Sequence, residues 1–273
     1  MTEFVGRTLH CPVCHTGFGV EVPVGIRPVG LESDFRPIFE GPDPLAAEAA
    51  ACPSCRYAGY LFAFEGGRSE DEDEIEHAGV PAPVRPLGIP DDDDLDDLRR
   101  WIRRGELVAD TDLGEREPLP AERYLLAARL RDFLTQEDPL PIADLYLRGA
   151  WCARAAGQRE LERDLLEEAV EAFDAALDEG KVPSMDKGRI IYLTAELARR
   201  SGDFALAVDL FGQVDAHVDR DEEEGLRLYR LARRMEALAT MQSDVAARMP
   251  SDEDLEAVRA GDEEWGGDDE DQS

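Results

Sequence analysis

Two hydrophobic periods divide the chain. Near the N-terminus apolar residues alternate: Phe18, Val20, Val22 and Val24, then Tyr60, Phe62 and Phe64, with Leu61 and Ala63 between them. A period of two places such residues on one face of short strands. From Ala121 onward the period becomes helical. Leu126, Leu130, Phe133 and Leu134 form one stripe, and Ile142, Leu145, Tyr146 and Ala153 another. A longer stripe runs through Leu161, Leu165, Leu166, Ala169, Val170, Phe173 and Leu177. Ile190, Ile191, Thr194, Leu197 and Ala198 follow, then Leu206, Ala207, Leu210, Phe211 and Val214, and finally Leu228, Leu231, Met235, Leu238 and Val245. About six helices with short connections are expected, arranged as antiparallel hairpins.

The helical half carries a weak internal repeat. Leu145-Tyr146-Leu147 returns as Ile191-Tyr192-Leu193, and Ala169 to Phe173 returns as Ala207 to Phe211. The stretch from Ala198 to Phe211 resembles a tetratricopeptide repeat, with a Gly202-Asp203-Phe204 turn, a small Ala207 at the helix crossing and Phe211 four residues later. An ordinary helical bundle is the alternative.

Charge adds two further segments. The chain has 273 residues with 62 acidic and 30 basic, a net charge of −32. Residues 66–118 hold 17 acidic and 7 basic residues, and residues 250–273 hold 11 and 1. Both are rich in Pro and Gly. Glu70 to Glu76, Asp91 to Asp97 and Asp262 to Asp271 are like-charge runs, which repel themselves and are expected to stay extended. They read as an acidic linker, in which a short helix can form, and an acidic disordered tail. A solvated spacer is one account of them, and a decoy for a basic partner the other. Abundant Asp and Glu with only two lysines, Lys181 and Lys187, also suits a salty cytoplasm, where repulsion is screened. The same balance disfavours nucleic acid, whose binding comes from basic residues displacing counterions. No apolar run approaches the ~18 residues of a membrane helix, and the start lacks a basic-then-apolar leader. A cytoplasmic protein is expected.

The chemistry concentrates in cysteine. Four of the five form two matched pairs, Cys11-Pro12-Val13-Cys14 and Cys52-Pro53-Ser54-Cys55. Each C-P-x-C turn aims two sulfurs inward, and four thiolates close a tetrahedron around zinc. The pairs stand farther apart than the ~15–20 residues of a minimal ribbon, so an insertion lies between them. Zn2+ is the expected occupant, held by Cys11, Cys14, Cys52 and Cys55. Iron in a rubredoxin-like site and a redox-active thiol pair are the alternatives. His10 and His15, beside the first pair, are expected at the surface or behind the ligands. Cys152 sits in a helical pattern and reads as a small buried apolar residue. Asp34 reads as a turn or capping residue.

The chain is thus expected to be α+β. Residues 1–65 form a small zinc-ribbon-like domain, 66–118 the linker, 119–249 an all-α tetratricopeptide-like domain and 250–273 the tail. Cys11-Pro12-Val13-Cys14, Ser33-Asp34-Phe35, Gly41-Pro42-Asp43-Pro44 and Cys52-Pro53-Ser54-Cys55-Arg56-Tyr57-Ala58 together resemble the prokaryotic proteins grouped as domain of unknown function 2225. The resemblance implies a metal-binding protein with two knuckles followed by a tetratricopeptide-like region, and no reaction. Three positions depart from the family pattern, the first being His15, which follows the first pair. Arg56 stands where Gly is expected, at a point where a knuckle turns left-handed, and Asp43 stands in place of Asn.

Four cysteines leave zinc no open position, and no H-E-x-x-H, P-loop, dinucleotide glycines or G-x-S-x-G is present. The expected function is therefore non-enzymatic. A metal-stabilised module would carry helix hairpins whose groove takes an unidentified protein partner. An iron or thiol redox protein and a nucleic-acid-binding ribbon are the alternatives.

Overall fold

Each cysteine pair tips its own antiparallel hairpin. In the computed structural model, which describes residues 3–64, 92–108, 113, 116–134 and 138–249, strands β1 (Glu3–His10) and β2 (Gly17–Val24) pair from Glu3 opposite Val24 to His10 opposite Gly17. The first knuckle closes this pair. Strands β3 (Pro28–Leu31) and β4 (Pro37–Phe39) form a second hairpin, whose turn is Glu32 to Arg36. A single helical turn, α1 (Leu45–Glu48), leads into β5 (Ala49–Ala51), which pairs with β6 (Ala58–Tyr60) around the second knuckle.

The alternation at Tyr60, Phe62 and Phe64 does not continue as a strand. β6 ends at Tyr60, and Leu61–Ala63 make a 3₁₀ turn closed by the Phe64 amide donating to the Leu61 carbonyl. Core packing decides this. Phe64 is 1% exposed and meets Tyr57 and Phe18 edge-on at 5.2 and 5.5 Å, a position that the turn gives and an extended chain would not.

The acidic run at Asp91–Asp97 is likewise not extended over its described part. Helix α2 spans Asp92–Arg103. Its carboxylates occupy the N-terminal half, where the helix dipole favours negative charge, and Arg100 and Arg103 the last turn. Leu95 and Leu98 are buried, and Trp101 stacks on Phe133 at 4.6 Å. Glu70 to Glu76 and Asp262 to Asp271 lie outside the described residues, as does the rest of the tail from residue 250.

Six helices follow among the described residues: α3 (Pro120–Leu134), α4 (Pro139–Ala155), α5 (Arg159–Asp178), α6 (Lys187–Ser201), α7 (Phe204–Gln213) and α8 (Glu223–Thr240). Each packs on the next, and α6 also touches α8. Local signals set their ends. Asp138 accepts a hydrogen bond from the Leu140 amide ahead of α4, and Asp203 does the same for Leu206 at the start of α7. Gly202, at φ +99°, ends α6 in the left-handed conformation that lets α7 turn back after two residues. Val245 lies beyond α8 and is 68% exposed, so the last stripe ends with the helix at Thr240. No described helix is long and apolar enough to cross a membrane.

The hairpins and helices share one continuous hydrophobic core, from Leu9 through Tyr57 and Phe64 to Leu231 and Ala239. The β3–β4 turn is driven into the helices as a polar plug. Ser33 Oγ donates to Glu196 at 2.6 Å, and Tyr192 donates back to the Ser33 carbonyl at 2.7 Å. Phe35, held at φ +62°, packs on Tyr192 and lies under the Arg189 guanidinium. Asp34 does cap its own turn, its Oδ1 accepting from the Arg36 amide at 3.3 Å, but it does more than that. It is fully buried, accepting from Trp151 Nε1 at 3.1 Å, Arg154 at 2.5 Å and Arg200 at 3.2 Å. The chain after α8 returns to the same place. Ser33 donates to the Ala247 carbonyl and Met249 to that of Leu31, so a short strap adds to the edge of β3.

Candidate metal centre

The two knuckles repeat one backbone design. In the first, the Cys11 amide donates to the Thr16 carbonyl at 3.1 Å and the His15 amide returns to the Cys11 carbonyl at 2.8 Å. In the second, Cys52 donates to Tyr57 at 2.7 Å and Arg56 to Cys52 at 3.0 Å. His15 (φ +59°) and Arg56 (φ +68°) therefore hold the same left-handed position, the one for which glycine is the unstrained residue.

These turns aim amides at sulfur. The N–H groups of Val13 and Cys14 donate to Cys11 Sγ, those of Ser54 and Cys55 to Cys52 Sγ, and that of Tyr57 to Cys55 Sγ. Cys14 Sγ lies 3.2 Å from Thr16 Oγ1. Such donors stabilise thiolate rather than thiol.

The hairpins bring all four sulfurs within 4.8 Å of one another. The shortest separations cross between the knuckles, 3.6 Å for Cys11–Cys55 and 3.5 Å for Cys14–Cys52. A disulfide would need about 2.05 Å, and all five cysteines are free. A tetrahedron of Zn–S bonds of about 2.3 Å has edges of about 3.8 Å, slightly longer than these two separations and inside the 4.8 Å span of the set. The donor set thus fits one four-coordinate metal ion. Its sulfurs share protons unequally. Hydrogen bonding from Cys11 holds Cys52 far down on the thiolate side, whereas contact with Cys52 pushes Cys11 up to about 12, and contact with Cys11 and Cys52 pushes Cys55 up further. Four anionic sulfurs at this spacing repel, and a dication offsets that repulsion.

Cys11 and Cys52 are fully buried and Cys14 and Cys55 half-buried, so the ligand set has an inner and an outer edge. Tyr57 lies near Cys11 and Cys55 and packs edge-on against Phe64, which in turn meets Phe18. His10 and His15 are exposed and stand outside the cluster. Cys152 is buried on α4, where burial pushes its thiol up to about 12. It is an unreactive core residue.

Two neighbours of the centre carry no motif. Tyr60, at the end of the second hairpin, donates to Asp144 at 2.5 Å, and Asp144 is paired with buried Arg148, which also binds Glu48 at 2.9 Å. Arg99 on α2 donates to the Val13 and Pro12 carbonyls of the first knuckle. The partners lie 84 to 87 residues apart, and no local pattern encodes such pairs.

No curated protein and no solved structure matches the chain significantly. A family profile does match, over residues 4–83 and 113–238, and this span includes both knuckles, the Ser33-Asp34-Phe35 plug and the helices that grip it. The chain therefore belongs to the family designated domain of unknown function 2225, described as an uncharacterized protein conserved in bacteria.

Proposed function

We propose that Cys11, Cys14, Cys52 and Cys55 hold one structural Zn2+ ion, and that the protein is a non-enzymatic interaction or scaffold protein. The observation that carries the reading is the approach of four sulfurs from two hairpin tips to within 4.8 Å. Four thiolates fill the coordination shell of zinc and leave no position for a substrate or an activated water, which separates a structural site from a catalytic one. The ion's contribution is to folding: it fixes the two hairpin tips against each other and, through the shared core, against α3 and α4.

Support for a binding role comes from the helices. Helices α3 to α8 each pack on the next, and with the turn at Gly202-Asp203 they are compatible with a helix-hairpin array, a kind of structure whose groove takes a peptide or a partner helix. A cytoplasmic setting suits unpaired thiols, which an oxidising compartment would convert to disulfides.

Elemental analysis of the full chain, purified without chelator, tests the metal. One zinc per chain is expected, and less than half an equivalent contradicts the reading. Visible thiolate-to-iron absorption with stoichiometric iron would replace it with the redox alternative. A pull-down with the full chain from native lysate, at native salt, tests the scaffold. Stoichiometric capture of one protein supports it, and capture of nothing removes it.

A further inference from the structure

Two peptide groups join helix α2 to the metal centre. Arg99 Nε donates to the Val13 carbonyl at 3.0 Å and Nη2 to the Pro12 carbonyl at 3.4 Å. The N–H groups of those same two peptide units belong to Val13 and Cys14, and both donate to Cys11 Sγ. Each unit therefore accepts from a guanidinium on one side and donates to sulfur on the other. The third arm of the guanidinium, Nη1, is fixed by Asp96 at 2.8 Å. The helix carrying it is anchored by buried Leu95 and Leu98 and by the stack of Trp101 on Phe133.

The second knuckle is built differently. Ser54 and Cys55 donate to Cys52 Sγ in the same way, but among the described residues no side chain donates to the Pro53 or Ser54 carbonyl, and both residues are exposed. The asymmetry has an address in the sequence, because α2 falls in the stretch 84–112 between the two segments matched by the family profile.

We infer that Arg99 is a positioning residue of the metal centre, one that tunes Cys11 through the two peptide groups. A cation on a carbonyl polarises the amide and strengthens its N–H as a donor. The Cys11 sulfur then gives up electron density to two strengthened hydrogen bonds, so it is less nucleophilic than Cys52 while bound to metal. Four thiolates around a dication carry a net charge of −2, and outer hydrogen bonds of this kind tune ligand basicity and metal retention. The first knuckle is the held half of the site, and the second is the half through which a competing ligand enters.

The inference rests on the zinc reading above, and the test separates the two. The full chain is loaded with Co2+ for spectroscopy and, separately, with Zn2+ for chelator-driven release. If the wild-type chain takes up neither ion in a tetrahedral thiolate site, the zinc reading fails before any variant is made. Otherwise Arg99→Ala moves the thiolate-to-cobalt charge-transfer band to lower energy, because the Cys11 sulfur regains electron density, and speeds zinc loss about tenfold. Arg99→Lys, a cation without the two-pronged fork, lies between and carries the test if the alanine variant fails to fold. Arg103→Ala, whose side chain among the described residues binds only the carbonyl of Arg99 in its own helix, leaves both readouts at wild type. A wild-type band position and release rate in Arg99→Ala overturn the inference, as does an equal shift in Arg103→Ala.

Discussion

Asp34 is a fully buried carboxylate whose charge is held by arginines from two helices. Burial alone would drive its carboxyl toward the neutral form, but the charges of Arg154 and Arg200 and a hydrogen bond from Arg154 prevail, holding it well below the usual carboxylate range. The folded-state pKa is therefore depressed relative to the unfolded value of about 3.9. The stability that Asp34 contributes is present above that value and is lost as pH falls through the folded one. Asp34→Asn leaves two arginines facing a neutral group, a loss expected to be about 3–5 kcal/mol at pH 7. Urea unfolding at pH 7 and pH 3 checks it: the gap between wild type and variant is large at the first and narrows at the second. Gly188 makes a different kind of demand. A Cβ there would meet the His217 carbonyl oxygen and Val218 Cγ1, both at 2.7 Å. Gly188→Ala forces the start of α6 away from the 3₁₀ turn at Val214–His217, with an expected loss of about 1–3 kcal/mol in the same measurement.

At the scale of elements, the strap after α8 ties the end of the helical region to the first hairpins. Arg199 on α6 is the tie. It pairs with Glu196 at 2.7 Å, donates to the Val245 carbonyl at 2.9 Å and also grips Ser243, while Glu196 holds Ser33. Arg199→Ala leaves Glu196 buried without its cation and frees the strap, an expected cost of about 3–5 kcal/mol. Hydrogen exchange separates the two effects, because the amides of Ser33 and Met249 lose protection in the variant while those in the middle of α4 keep it. What the sequence made legible at this scale follows from the range of the interactions. The six helices from Pro120 to Thr240 are readable because their apolar stripes and caps are local, as with Gly202-Asp203 between α6 and α7. Helix α2 is misleading as a row of aspartates, since its stability comes from Leu98 and Trp101 against distant residues and from the placement of acids at its N-terminal end. The Tyr60–Phe64 alternation misleads for a related reason, core packing outweighing a two-residue period.

The described residues share one core, to which the hairpins that bring the four cysteines together belong. The cysteines were legible because a C-P-x-C turn encodes the placement of its own two sulfurs; that the two turns meet at 3.5–3.6 Å is supplied by the fold. Asp34 was not legible as a buried ion-pair centre, because its partners Trp151, Arg154 and Arg200 lie 117 to 166 residues away. Since Tyr57, Phe64 and Tyr60 join the second knuckle to the core and to α4, chelation should be felt beyond the hairpins. Metal removal is expected to cost at least about 4 kcal/mol and to lower the thermal midpoint by about 10 °C. Aromatic near-ultraviolet and helical far-ultraviolet dichroism are expected to shift together in a single transition. A helical transition unmoved by chelation would show the two regions to be energetically separate. The most direct test of the central claim, a closed four-thiolate zinc site, is X-ray absorption at the zinc edge of the purified full chain. A single shell of four sulfurs at about 2.3 Å is expected. A shell containing nitrogen or oxygen, or fewer than four sulfurs, contradicts it, because the ion would then have an open or substituted position and the site would no longer be purely structural.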